Sequence, residues 1–354
     1  MKTLKKIFNH VFIDGLSGMA YGLFATLIIG TIIQQIGNLI GGNLGSSLFV
    51  IGKVAACVTG AGIGVGVAVK FQQSPLVIIS SATSGMVGAF ASKILSGELI
   101  VDGTISLSGP GEPLGAFIAA LVGIEIGRLL AGKTKLDILI TPLLTIGSGS
   151  LVGLFVGPPI SSFMTWLGSL VNWGTEQQPL LMGIVVSVLM GMILTLPISS
   201  AALGIIMNLS GLAAGAATVG CCCNMIGFAV ASYRENGFGG LLAQGIGTSM
   251  LQVPNIMKKP LIWLPAIISS AILGPVGTLI FKMTNNATGS GMGTSGLVGQ
   301  IMTWQTMTAS ESSEIVLIKM LLMHFIFPAI ISLLASEFMR KKKWIKDGDM
   351  KLTI

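Results

Sequence analysis

The sequence predicts an all-α polytopic transmembrane protein of about 10 spans (range 9–12), with an internal duplication and broken or re-entrant helices. Three observations carry that prediction. Only 9% of the 354 residues are charged, against roughly 25% in soluble domains, while 52% are hydrophobic. The charges are also bunched: none occurs from Gly15 to Gly52, from Ile138 to Thr175 or from Gln177 to Tyr233, and each gap exceeds the roughly 20 residues that one span needs. Finally, the chain has 49 glycines but only 6% aromatic residues, and glycine permits both close helix approach and the broken helices that line transport cavities. This composition excludes a separate soluble catalytic, Rossmann, P-loop or DNA-binding domain, because no long stretch has ordinary globular polarity.

At the N-terminus, Lys2, Lys5 and Lys6 precede an apolar stretch that continues to about Ile40 without a small-residue cleavage site, so it reads as a retained span and not as a secretory signal. The ten candidate spans fall near 15–38, 47–69, 75–95, 113–131, 138–157, 180–208, 211–232, 238–257, 260–282 and 315–337. Residues 158–173 are apolar enough for a further short span or an interfacial helix. Residues 293–309 are glycine- and threonine-rich like a re-entrant loop. Pro197 should break or kink the run 180–208, since proline removes an amide donor and clashes with the preceding turn. Cys221, Cys222 and Cys223 are consecutive in an apolar run and lack both zinc spacing and a disulfide pattern; they read as small buried residues.

The net charge of +7 is explained by its placement. Lysines at the N-terminus, Lys70, the group Arg128, Lys133 and Lys135, then Arg234 and Arg340 to Lys343 should face the cytoplasm, with Glu98, Asp102, Glu112, Glu176, Glu311 and Glu314 outside. Both termini then lie inside, and Lys258 and Lys259, on the outer side in this scheme, are its exceptions.

Thr83-Ser84-Gly85-Met86-Val87-Gly88 matches Thr294-Ser295-Gly296-Leu297-Val298-Gly299, and at nearly the same offset Lys70 falls on Lys282, Glu125 on Glu337 and Arg128 on Arg340. Three segments follow: a first membrane repeat in 1–140, central inserted spans in 141–232, and a second repeat with a short basic tail in 233–354. Shared charge at equivalent ends favours parallel copies over inverted ones.

Several residues can carry chemistry. Ser108-Gly109-Pro110-Gly111-Glu112-Pro113-Leu114-Gly115 must be a turn or broken helix entering a span, and Glu112 there can accept hydrogen bonds from sugar hydroxyls or take up a proton. The plainer alternative is an acidic loop with Pro113 at a helix start. At the repeat offset Glu112 falls on His324, the only histidine inside a proposed span, so the two are paired as candidate site residues. Thr83, Ser84, Thr294, Ser295 and Asn208 complete the candidate substrate-binding set. Gln34, Gln35, Asn38, Thr195, Ser199, Ser200 and Asn224 are further polar residues that line a path or bond neighbouring helices. Glu125 with Arg128, and Glu337 with Arg340, have the spacing of same-face ion pairs. Lys53 either snorkels to the interface or meets an anionic ligand group. No catalytic residue, metal site or organic cofactor is implied.

The glycine-rich spans, the Gly-Pro-Gly-Glu-Pro-Leu-Gly turn and the Thr-Ser-Gly-(Met/Leu)-Val-Gly loops together resemble subunit IIC of a bacterial phosphotransferase-system sugar permease. The likeness is strongest to the stand-alone branch that includes the perfringolysin-regulator-like membrane proteins. The resemblance implies a homodimeric permease of the inner membrane whose substrate is phosphorylated by a separate IIB subunit, and it maps the family's turn glutamate onto Glu112. The histidine paired with that glutamate in sugar permeases has no matching motif here, so His324 rests on the repeat alone. The expected function is transport of a small polar solute, a sugar or sugar derivative, by alternating access. Two alternatives stand beside it: an ion- or proton-coupled carrier of an anionic metabolite, and a membrane-embedded ligand-sensing regulator.

Overall fold

Long apolar runs leave a chain only one way to satisfy its backbone inside lipid, which is to hydrogen-bond within each segment, and most of each run is helical. The computed structural model describes residues 6–101, 103–107, 109–133 and 135–352, and all their side chains except those of Ala202 and Ile206. Lys2, Lys5, Asp102 and Ser108, used in the charge scheme and the Glu112 turn, lie outside the described residues. The chain divides into two compact units, one ending at Met164 and the other beginning at Thr165. That division follows packing and differs from the three segments drawn from sequence.

In the first unit, α1 (Lys6–Ile40), α2 (Gly42–Cys57), α3 (Thr59–Lys70), α4 (Pro75–Ala89), α5 (Ala91–Ser96), a two-stranded hairpin of β1 (Ile100–Val101) and β2 (Thr104–Ile105), α6 (Pro113–Leu130) and the start of α7 (Asp137–Thr175) follow one another. Glycine is what lets them pack. A Cβ at Gly22 would overlap the Gly62 carbonyl, one at Gly18 the backbone of Gly66 and Val67, and one at Gly30 or Gly37 the facing backbone of α2. The span expected over 47–69 is two helices, α2 and α3, bent by 53°. Pro158 and Pro159 do not end α7, which runs through 39 residues. Each proline there forfeits one amide donor, and the helix on either side keeps its remaining bonds.

The second unit holds the rest of α7, then α8 (Pro179–Thr195), α9 (Ser200–Ile206), α10 (Gly211–Ala231), α11 (Tyr233–Leu242), α12 (Val253–Lys258), α13 (Pro260–Ile280), α14 (Ala287–Ser290), α15 (Val298–Met307) and α16 (Ser313–Lys341). Pro197 breaks the run 180–208: α8 stops at Thr195, and Leu196, which precedes the proline, is extended. Among the described residues, six helices are long and apolar enough to cross a membrane: α1, α6, α7, α10, α13 and α16. Counting the bent α2 and α3 pair as one span gives seven, and α4 and α8 are shorter apolar helices.

The span expected over 238–257 does not exist as one helix. Gly237 (φ 58°) kinks the chain just before it, residues 243–247 form a wide turn, and Thr248 is extended before a short 3-10 turn leads into α12. Its two ends lie beside the same C-terminal tail. At the start, Glu235 pairs with Arg340 at 2.9 Å and the Asn236 amide donates to the Met350 carbonyl at 2.9 Å. At the finish, Gln252 donates to Met350 O, Asn255 donates to Lys351 O, and Lys259 pairs with Asp349. The segment therefore enters and leaves at one end. Its polar side chains explain why: in a spanning helix Gln244, Gln252 and Asn255 would need partners in lipid, whereas here Gln252 donates to Gln244 and Asn255 to Gln252. The exceptional Lys259 thereby gains an account, since it lies with the basic C-terminal end.

A second irregular segment, 283–307, approaches from the other end of α10. The Asn285 amide N–H donates to the Gly211 carbonyl at 3.2 Å, where α10 begins; Gly293 then lies against the backbone of Cys221 and Cys222, and α15 returns so that Asn285 donates to Thr303 Oγ1 at 3.0 Å. The re-entrant character expected of 293–309 thus belongs to a segment that starts earlier. The two turns, 243–247 and 295–297, pack against each other beside the middle of α10. α10 itself is the most enclosed span, with 83% of its apolar window buried against 22% for α7.

Candidate solute site

Where the two re-entrant turns meet, the side chains are polar and almost free of charge. Thr195 Oγ1 lies 2.8 Å from Ser249 Oγ and 3.2 Å from Asn224 Oδ1, and the Asn224 amide donates to Ser270 Oγ and to the Gly220 carbonyl. Trp263 Nε1 donates to Asn224 Oδ1 at 2.8 Å. This network is satisfied, and it fixes the tip of the first turn onto α8, α10 and α13. On the other side, Asn285 donates to Thr218 Oγ1 at 2.8 Å and to the Gly299 carbonyl, holding the second turn's ends together. Only the backbone of the second tip is unusual. Gly296 and Leu297 both have positive φ (53° and 58°), a conformation costly for leucine, which lets α15 start directly beside α10.

Around residues 222–225 of α10 the satisfaction stops. Thr294 Oγ1 donates to Met225 Sδ at 3.4 Å, and Gln300 Nε2 lies 3.2 Å from His324 Nδ1 and 3.4 Å from Cys222 Sγ. Yet Ser295 Oγ, Gln300 Oε1 and His324 Nε2 are buried without hydrogen-bond partners. A buried polar atom left unpaired costs roughly 1–3 kcal/mol. Three such atoms lie on neighbouring elements, Ser295 in the irregular tip, Gln300 on α15 and His324 on α16.

The first unit contributes a different chemistry. Glu112 precedes α6, its backbone N–H donating to the Ala89 carbonyl at 2.8 Å, and Gly111 (φ 69°) rests so close to Ala89 that a Cβ would collide with it. The turn expected of this motif is therefore present. One carboxylate oxygen, Oε2, is buried without a partner, and burial pushes the carboxyl up to about 7.

The structure thus brings Thr294, Ser295 and His324 to one cluster, and places Glu112 in the other unit with its own surroundings. Thr83 is exposed on α4, while Ser84 is buried and donates to the Thr145 carbonyl at 3.0 Å. Asn208 is an exposed turn residue with φ 48°. Matching motifs are not alike in conformation: residues 83–88 lie within helix α4, whereas 294–299 form the irregular tip. His324 is also not the only histidine in a span. His10 lies within α1, which begins earlier than the sequence suggested, and bonds Glu125 at 2.8 Å. Lys53 is exposed on α2. Gln300, Asn285, Ser249 and Gln244 were missed by the sequence reading, although amides and hydroxyls recurring inside 238–257 and 285–303 were a usable signal.

No curated protein matches the sequence. The family profile described as "Phosphotransferase system, EIIC" matches residues 13–352, nearly the whole chain. With spans, broken helices and a polar cluster in place, the protein is a multi-pass membrane permease component of phosphotransferase type: the chain belongs to the EIIC family of the phosphotransferase system.

Proposed function

We propose that the chain carries a small uncharged polyhydroxyl solute, a sugar or sugar derivative, and that the solute sits in the second unit between the two re-entrant turns. The observation that carries this is the group of three unpartnered buried atoms at Ser295, Gln300 and His324. Amide, hydroxyl and imidazole groups recognise sugar hydroxyls without bringing a net charge into the membrane, where a charge is expensive. Because the turns arrive from opposite ends of α10, withdrawal of either one opens the cluster to one side while the other still closes it, which is the requirement of alternating access. The resemblance makes Glu112, in the first unit, a separate candidate for solute contact through its free carboxylate oxygen. The same reading includes a homodimer in the bacterial inner membrane, both termini in the cytoplasm, and phosphorylation by a separate IIB subunit.

Uptake of radiolabelled hexoses, pentoses and hexitols into vesicles containing the purified protein, with and without phosphorylated IIB, tests the activity. Titration of Ser295→Ala, Gln300→Ala and His324→Gln proteins tests the site. Loss of a hydrogen bond to a buried group should weaken binding by about 10-fold or more. If all three bind like the parent, the solute lies elsewhere. One observation favours a second reading, a proton-coupled carrier: Glu112, with its carboxyl near neutrality, would gain and lose a proton at physiological pH. Uptake driven by an imposed proton gradient without IIB, and abolished in Glu112→Gln, would establish it.

A further inference from the structure

Beside the end of α16 the chain turns through Lys343, whose φ is 61°, and folds a short tail against the first re-entrant segment. This turn borders an open surface hollow of about 470 Å³ lined by five cations, Arg234, Arg340, Lys341, Lys343 and Lys346. Two carboxylates also line it, but each is engaged: Glu337 pairs with Arg234 at 3.0 Å and Asp347 with Arg340 at 3.0 Å. Lys341, Lys343 and Lys346 have no such partner among the described residues. Arg340 supplies an independent sign that the hollow takes a ligand. Its side chain is only 7% exposed, Glu235, Asp347 and the Ala231 carbonyl occupy its terminal nitrogens, and its Nε remains buried without a partner.

The surroundings identify the ligand. Phe338 and Trp344, both half exposed, stack edge to face at 6.2 Å next to the hollow, and Lys342 Nζ lies 5.9 Å from the Phe338 ring. Exposed aromatics alternating with lysines at the end of a spanning helix mark the level of the lipid headgroups. An open hollow at that level with three lysines outside any ion pair, of which only Lys346 has a carboxylate, Asp349, close by, fits a phosphate carrying a negative charge on a membrane lipid. We propose that this hollow binds the phosphate headgroup of an anionic phospholipid such as phosphatidylglycerol. Because the same tail bonds Asn236, Gln252 and Asn255, the bound headgroup holds the tail on the first re-entrant segment.

The test uses the full chain purified in a neutral detergent and titrated by calorimetry with dihexanoyl-phosphatidylglycerol, dihexanoyl-phosphatidylcholine, glycerol 3-phosphate and inorganic phosphate. Phosphatidylglycerol should bind and phosphatidylcholine should not. Each lysine among Lys341, Lys343 and Lys346 replaced by Gln should weaken binding about fivefold, the equivalent of roughly 1 kcal/mol. In the parent, phosphatidylglycerol should also protect these three lysines, but not Lys135, from acetylation by acetic anhydride, a readout that needs no variant. Equal affinity for glycerol 3-phosphate or phosphate would replace the lipid with a free phosphate and overturn the assignment. Equal affinity for phosphatidylcholine, unchanged binding in the triple Gln variant, or absence of protection would each overturn the site itself.

Discussion

The motif Glu-x-x-Arg occurs at the end of α6 in the first unit and of α16 in the second, and the two copies are used differently. Glu125 and Arg128 form the expected same-helix pair at 2.6 Å, with Glu125 also bonded to His10, and both side chains remain a third to a half exposed. Arg340 ignores Glu337 and turns to Glu235 at 2.9 Å, where both partners are about 7% exposed, while Glu337 takes Arg234. Spacing made the same pair available in each unit; the neighbouring chain decided whether it formed. In the second unit α11 brings Glu235 and the C-terminal tail brings Asp347 within reach of Arg340, and a buried guanidinium with two outside carboxylates has no use for a third on its own helix. The lesson is that helix spacing predicts contacts only where nothing stronger approaches from outside the helix.

Removing each arginine should separate the two uses most clearly. Arg340→Ala strands Glu235 as a buried carboxylate and should cost about 3–5 kcal/mol, read as a large drop in the melting temperature of the detergent-solubilised protein. A loss below 1 kcal/mol would show that burial of the pair is not what distinguishes it. Next in size is Asn224→Ala, which deprives Trp263 Nε1, Thr195 and Ser270 of a common partner and should cost roughly 2–3 kcal/mol by the same measurement. Wild-type stability in that variant would mean that the network holding the first re-entrant tip is dispensable.

The first unit's buried carboxyl gives a pH signature. Below about pH 4.5 Glu112 is protonated in folded and unfolded chains alike; between that and about pH 7 the folded chain keeps a proton that the unfolded chain releases. Stability from this group therefore falls as pH rises through that window, by on the order of 3 kcal/mol, and is flat on either side. The difference in melting temperature between parent and Glu112→Gln should change between pH 4.5 and 7 and nowhere else. A constant difference would place Glu112 in water. The smallest effect belongs to Arg128→Ala: an exposed pair contributes less than about 1 kcal/mol, so its melting curve should nearly overlay the parent's.

Much of this architecture was legible in the residues. The uncharged stretches delimit apolar helices because lipid penalises charge, the paired glycines of α1, α2 and α3 sit where backbones touch, and Pro197 ends α8 by the rule that disfavours helix before proline. The Glu112 turn was readable from its prolines and glycines, and a motif and a rare residue type singled out Ser295 and His324 as candidates. What the sequence could not decide was which apolar segments cross. Residues 238–257 are uncharged and as long as a span, yet they fold back because Gln244, Gln252 and Asn255 find one another and the C-terminal tail, contacts separated by up to a hundred positions in the chain. The site followed the same division. Hydropathy, a local sum, determined that the chain lives in a membrane; hydrogen-bond partners supplied from distant segments determined where its helices break, and left Ser295, Gln300 and His324 together with atoms to spare.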